Sequence, residues 1–212
     1  MSILIPVWNW ISLKVISNIT WGWLRGLYRK GKYWDLSYGD WKKIGDLLRE
    51  DHYVILTRRK THLTTYLIWL GGLLKMGKGS YWSHALLNIE GDTENYELIE
   101  ATSIGVHVAN FIAVFDCDSV CLLRPKGYSA EDWSLATKQA LEDLGKPYDT
   151  LFDPSQDASL SCVELVRDAL QAAPDYLEHF PKFEAMISKY GQVIPQMVYD
   201  DGEFEKILEI RR

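Results

Sequence analysis

Apolar residues recur at helical spacing in some segments of the chain and cluster at strand spacing in others. Helices are predicted at 37–50, 129–144 and 183–190, with a further one starting at Cys162. Strands are predicted at 52–57, 81–89, 96–101, 105–108 and 119–123. Residues 193–199 are predicted to be extended, and 204–210 to form a short strand or helix. The pattern predicts an α+β fold, with an antiparallel sheet of four to six strands packed against helices.

The segment from Thr64 to Leu74 has no charged residue and contains the pair Gly71-Gly72. It is too short to span a bilayer, which takes about 20 apolar residues. We expect a helix or loop buried beside the functional site. The alternative is an exposed apolar lip for a lipid substrate.

Residues 1–36 differ from the rest of the chain, since six of the nine tryptophans lie before residue 42. Cations follow the apolar positions, and Lys14 lies among them, which argues against a cleavable signal peptide. We predict a Trp-rich, basic amphipathic arm that contacts a membrane surface. Packing on the rest of the chain or on a partner protein is the alternative. Residues 37–212 are predicted to form the folded domain.

Charge and cysteine content narrow the function classes. The net charge is −6, although residues 1–34 carry five cations and no acid. An acidic body argues against nucleic-acid binding. Three cysteines make no disulfide framework, and the sequence has neither CxxC nor HExxH, so no metal or cofactor is expected. The sequence does not define the localisation, and it is consistent with a peripheral membrane protein or a virus-associated protein.

Cys162 opens an apolar-periodic helix, where unpaired backbone N–H groups and the helix dipole favour a thiolate. Such a nucleophile needs a base and a group that orients the base. If the loop after the second strand is Gly91-Asp92-Thr93, Glu100 lies directly opposite His84, with Cβ atoms about 5 Å apart. The residues thus suggest a Cys-His-Glu set. A packing cysteine and a structural histidine are the alternatives.

A series of motifs in fixed order resembles the permuted papain-like amidases of the NlpC superfamily, in their YiiX-like branch. These are Gly45-Asp46, Val54–Arg58, Trp82-Ser83-His84, Leu98–Ala101, Gly105-Val106, Gly145–Asp149 and Cys162–Val166. In that branch the histidine strand precedes the cysteine helix, as it does here. The resemblance covers residues 45 to 210 and leaves the N-terminal arm outside it.

The resemblance implies roles for individual residues. Cys162 is the expected nucleophile, His84 the base and Glu100 the third polar residue. Tyr148, Trp82, Ser83 and His107 are expected to border the site or bind substrate, and His107 is the second candidate for orienting His84. Ser161 and Glu164 stand where many unpermuted relatives have Asp and Gly, so recognition of a peptidoglycan stem peptide does not transfer.

Three functions therefore remain in view. The first is a cysteine amidase or peptidase, with cell-wall peptides among its possible substrates, acting through a thioester. The second is a membrane-associated lipid acyl hydrolase or acyltransferase. The third is a non-catalytic structural or assembly subunit that retains the fold.

Overall fold

The computed structural model describes residues 36–59, 63–90, 96–150 and 158–212. The predicted arm at 1–36 lies outside these ranges except for Leu36, which is buried. The helices are α1 Tyr38–Glu50, α2 Leu63–Met76, α3 Phe111–Phe115, α4 Ala130–Glu142, α5 Cys162–Gln171, α6 Tyr176–His179, α7 Pro181–Tyr190 and α8 Pro195–Asp200. The strands are β1 Val54–Arg58, β2 His84–Glu90, β3 Tyr96–Thr102, β4 Gly105–Ala109, β5 Ser119–Pro125 and β6 Phe204–Arg211.

The six strands form one antiparallel sheet in the order β4-β3-β2-β1-β5-β6. This confirms the predicted α+β fold. Short connections join β2 to β3 and β3 to β4, whereas α2 lies between β1 and β2, and residues 126–203 lie between β5 and β6. The pairing of β1 with β5 is the one between strands that do not follow each other in sequence.

Both faces of the sheet are covered by apolar side chains. Alternate residues of each strand point to opposite faces, so β1 sends Val54 and Leu56 to one face and Ile55 to the other. The first face packs against α5 and also against α4, α7 and α8. The second packs against α1 and α3. Cys162 belongs to the first cluster, which therefore contains the candidate nucleophile.

Two predicted elements differ from the structure. The segment at 64–74 is a helix that continues through Gly71-Gly72, but most of its large side chains are exposed, so the prediction that it is buried was wrong. Helix α8 replaces the extended piece predicted at 193–199. The segment predicted to be extended contains a signal for a helix start. Pro195 is at the first helical position, where the missing N–H costs no intrahelical hydrogen bond.

Candidate active site

Cys162 is the first residue of α5 and is buried. Ser161 caps the helix, with its side chain accepting a hydrogen bond from the Glu164 backbone N–H at 3.4 Å. In return, the Glu164 carboxylate accepts from the Ser161 N–H at 2.6 Å. This reciprocal capping box fixes the first turn of the helix, and with it the position of the cysteine.

His84 begins β2, and its Nε2 lies 2.6 Å from Oε2 of Glu100 on β3. The predicted pairing was off by two residues, because Glu100 lies opposite Leu86. The strands end at Glu90 and begin again at Tyr96, so five residues separate them instead of three. A shift of two keeps both side chains on the same face, whereas a shift of one would have separated them. The two residues are therefore diagonal neighbours.

His107 stands behind this pair. It lies opposite Glu100 in the β3–β4 pairing, and its Nε2 is 3.4 Å from the other carboxylate oxygen, Oε1. Its Nδ1 donates to the backbone carbonyl of Gly105 at 3.0 Å. The Glu100 carboxylate thus lies between two imidazoles, and it is Glu100 that directly contacts His84.

A turn at residues 145–149 brings Tyr148 to the start of α5. The Val106 N–H donates to the Lys146 carbonyl at 2.9 Å, and Gly105 is so close to that carbonyl that an added Cβ would lie 2.6 Å from the oxygen. Tyr148 also forms a parallel bridge with Leu160, two residues before the cysteine. Position 105 needs glycine for two reasons. A side chain would collide with the Lys146 carbonyl, and the φ of +98° is one that other residues rarely adopt.

The electrostatics of these groups depend on one another. Burial alone lowers the pKa of His84, but hydrogen bonds with Cys162 and Glu100 outweigh it and raise the pKa to about 10. Burial raises the pKa of Glu100, but the hydrogen bond with His84 and the charges of His84, His107 and Arg59 together lower it by a larger amount, so the net shift is downward. Burial, together with the charge of Cys162 and a hydrogen bond to it, raises the pKa of Tyr148 well above its ordinary value. Cys162 thus contributes to the raised pKa of both His84 and Tyr148.

The two residues before His84 make other contacts. Trp82 is fully buried in the core, with its ring 5.0 Å from the ring of Tyr81 and 5.6 Å from that of Tyr199. The Ser83 N–H and hydroxyl donate to the Thr57 carbonyl on β1, at 3.1 and 3.4 Å. These contacts hold the strand segment that leads into His84. Contact of either residue with substrate stays a prediction.

Sequence reasoning passed over one feature of the site, the capping role of Ser161 and Glu164. The signal was present, since a serine three residues before a glutamate marks a capping box. Many unpermuted relatives carry other residues at these two positions, so the resemblance does not indicate the cap. Their side chains hold the helix start that carries Cys162.

Among the described residues, no three His, Cys, Asp or Glu side chains are arranged to hold a metal ion. None of the helices in this part of the chain is long and apolar enough to cross a membrane.

Comparison with known proteins agrees with this fold. A crystal structure titled metalloprotein yiiX from Escherichia coli O157:H7 (DUF1105) matches with a TM-score of 0.55 and 18% sequence identity. The match covers 76% of this chain and 98% of that chain, and at this identity it supports the fold alone. A search of curated proteins finds no match.

Residues 53–208 match the family model described as "Permuted papain-like amidase enzyme, YaeF/YiiX, C92 family". The matched region runs from the residue before β1 into β6 and includes His84, Glu100, Tyr148 and Cys162. It covers well over half of the sequence. The chain therefore belongs to the YaeF/YiiX (C92) family of permuted papain-like amidases.

Proposed function

We propose that this protein is a cysteine-dependent amidase in which Cys162 attacks the substrate carbonyl, His84 moves the protons and Glu100 orients His84. One observation carries the proposal: Nε2 of His84 lies 2.6 Å from the Glu100 carboxylate, and Cys162 together with Glu100 raises the pKa of this imidazole. Because Glu100 accepts from the Nε2 side of the ring, Nδ1 is the nitrogen left for the thiol. When the thiol proton is on Nδ1, the charged ring donates from Nε2 to Glu100.

The first half of the reaction forms a thioester. His84 takes the thiol proton, and the Cys162 sulfur bonds to the carbonyl carbon of the amide. The negative charge that develops on the carbonyl oxygen is stabilised by backbone N–H groups in the first turn of α5, where N–H groups have no partner within the helix. The C–N bond then breaks, and the imidazolium gives its proton to the departing amine.

The second half returns the enzyme to its starting state. His84 takes a proton from a water molecule, and the resulting hydroxide attacks the thioester carbonyl. The C–S bond breaks, the acid leaves, and the proton on His84 returns to the sulfur. Glu100 stabilises the imidazolium in both halves through its 2.6 Å contact with Nε2.

The remaining predicted residues take supporting roles in this proposal. Tyr148 is a second polar neighbour of the sulfur, since Cys162 contributes to the raised pKa of its phenol. His107 fixes the Glu100 carboxylate through Oε1. Trp82 and Ser83 hold the entry to β2 and so fix the position of His84.

Alkylation by iodoacetamide, followed at each cysteine by peptide mass spectrometry, tests the activated thiol. Cys117 and Cys121 are internal controls, since burial raises the pKa of each to about 12. At pH 7 we expect Cys162 to react fastest of the three. His84→Ala should slow it by about 100-fold, within the usual range for removal of a general base. Glu100→Gln should slow it less, because the imidazole remains.

Hydrolysis of acyl amides that release a fluorescent amine tests the reaction itself. Cys162→Ala and Cys162→Ser should both lose all turnover, while a transient acyl-enzyme should be trapped at Cys162 in the parent protein. If Cys162 reacts no faster than Cys117 and does not respond to His84→Ala, the proposal fails. The non-catalytic subunit would then be the better interpretation.

A second candidate function is hydrolysis or transfer of lipid acyl esters, with an alcohol as leaving group in the same steps. It is favoured by α2, whose exposed apolar side chains lie in the connection that leads from β1 into His84. Turnover of an amide and an ester with the same acyl chain separates the two candidates. A kcat/KM that is higher for the ester, and that rises when the ester is presented in vesicles, would favour the lipid substrate.

A further inference from the structure

Helix α2 has one buried face and one exposed apolar face. Thr65 and Gly72 are buried, and a Cβ on Gly72 would lie 3.0 Å from both the Lys78 carbonyl oxygen and the Ser80 nitrogen. Six large apolar residues of the helix are exposed, namely Tyr66, Leu67, Trp69, Leu70, Leu73 and Leu74. At 100° per residue these six cover one arc of about 160°. The exposed side of the helix is therefore a continuous apolar surface.

The exposed arc carries no charged residue. A surface helix that faces water normally has charged and polar residues on its outer side. Here the outer side consists of leucines and two aromatic residues, Tyr66 and Trp69, the types that prefer the boundary between lipid and water. A patch of this kind marks an interaction surface.

The charge around α2 indicates what that surface meets. Residues 52–89 contain five lysines and arginines and no aspartate or glutamate, although the whole chain has a net charge of −6. Arg59 donates to the backbone carbonyls of Ala113 and Asp116, and the Arg58 guanidinium lies 4.2 Å from the centre of the Tyr81 ring. Contacts with carbonyls and rings do not neutralise a charge. Only Lys78, 2.6 Å from Asp200, has a described carboxylate partner in this stretch.

We propose that the exposed face of α2 docks into the interfacial region of an anionic phospholipid bilayer. Its 14 residues span about 21 Å, which is shorter than the hydrocarbon core, so the helix lies along the surface and does not cross it. The apolar arc enters the boundary of the acyl chains, and the flanking cations meet the headgroup phosphates.

Docking in this way places the candidate site beside the bilayer. The chain leaves β1 at Arg58, forms α2 and returns at His84, so α2 lies at the end of the sheet where β2 begins. Ile104, in the β3–β4 turn at the same end, is 79% exposed. The membrane contact does not depend on the proposed amidase chemistry.

Flotation of the full-length protein with vesicles tests the proposal. Vesicles of phosphatidylcholine mixed with phosphatidylserine should carry the protein, those of phosphatidylcholine alone should carry less, and added salt should release it. In the variant Leu70→Glu with Leu74→Glu, two carboxylates enter the apolar arc, and the bound fraction should fall by about tenfold or more. Cys162→Ala should bind like the parent, which separates this test from that of the catalytic mechanism.

The matched control is Leu177→Glu on α6, because Leu177 is 68% exposed and lies outside the apolar arc. It should bind vesicles as the parent does. Circular dichroism should show that both variants keep the fold. If the double variant floats like the parent, another part of the chain binds the membrane and the proposal is wrong. It is equally wrong if the parent does not float, or if light scattering shows a dimer that the double variant dissociates.

Discussion

Helices α2 and α5 both approach the candidate site, yet they bury their apolar side chains to opposite extents. Helix α5 buries seven of its residues, including Cys162, and directs Arg167 and Asp168 toward the partly exposed side. Helix α2 is the more apolar in sequence and exposes six large side chains. Apolar content therefore does not indicate burial here.

The difference lies in the arrangement of polar residues. In α5 the charged residues Arg167 and Asp168 mark a partly exposed side, and the buried residues form a face that packs on β2 and β3. Helix α5 therefore packs on protein with one face and is partly exposed to water on the other. Helix α2 carries no charge across its exposed arc, and the large apolar side chains of this arc lie outside the core. The composition of α2 suits protein on one side and lipid on the other.

The largest effect that we expect concerns His84, which follows α2 in the chain and contacts the first residue of α5. Its pKa is raised from 6.5 to about 10, so the folded protein holds this proton where the unfolded chain has lost it. The stabilisation is complete below pH 6.5 and disappears as the pH rises to 10. Urea unfolding should show a difference in the free energy of unfolding between the parent and His84→Ala. This difference should decrease by at most about 5 kcal/mol as the pH rises from 6.5 to 10.

Nitrogen NMR of labelled histidine provides the direct measurement. The His84 ring should remain protonated at pH 8 in the parent protein. Glu100→Gln removes one of the two hydrogen bonds that raise the pKa, so the ring should titrate at a lower pH in that variant. Titration near pH 6.5 in the parent would contradict the coupling of His84 with Cys162 and Glu100.

A pair of leucine substitutions compares the two helices directly. Leu165 on α5 is fully buried, whereas Leu74 on α2 is 76% exposed. Leu165→Ala should lower the free energy of unfolding by about 3 kcal/mol, because it removes contacts and leaves a cavity. Leu74→Ala should change it by less than about 0.5 kcal/mol. Equal losses in urea unfolding would mean that α2 is covered by protein in solution.

Much of the frame could be predicted from the sequence. Ser37 and Ser129 each stand three residues before an aspartate, and this spacing alone predicts the starts of α1 and α4, where the structure has capping boxes. The strand pattern gave the sheet, and the order of motifs gave the family. Local signals and the order of motifs can be recognised in a sequence without knowledge of the tertiary contacts.

Other features depend on contacts that the sequence does not specify. The pairing of Glu100 with Leu86 depends on where β2 and β3 end, and an apparent Gly-Asp-Thr turn misplaced it by two residues. The exposure of α2 depends on which elements pack against it. An uncharged segment is as consistent with a position in the core as with one on the surface. The contact of His107 with Glu100 required the β3–β4 register, which no local motif predicts.

The smallest effect that we expect separates a buried helix start from an exposed one. Ser161 and Ser129 make the same capping box, on α5 and α4, but Ser161 is fully buried and Ser129 is exposed. Ser161→Ala should cost about 1 kcal/mol in urea unfolding, because the Glu164 N–H then loses its acceptor where water does not reach. Ser129→Ala should cost less, since water can replace the lost acceptor. Because the cap fixes the first turn, Ser161→Ala should also slow alkylation of Cys162, and Ser129→Ala should not. If the two substitutions had equal effects on both measurements, the buried cap would have no special part in holding the cysteine.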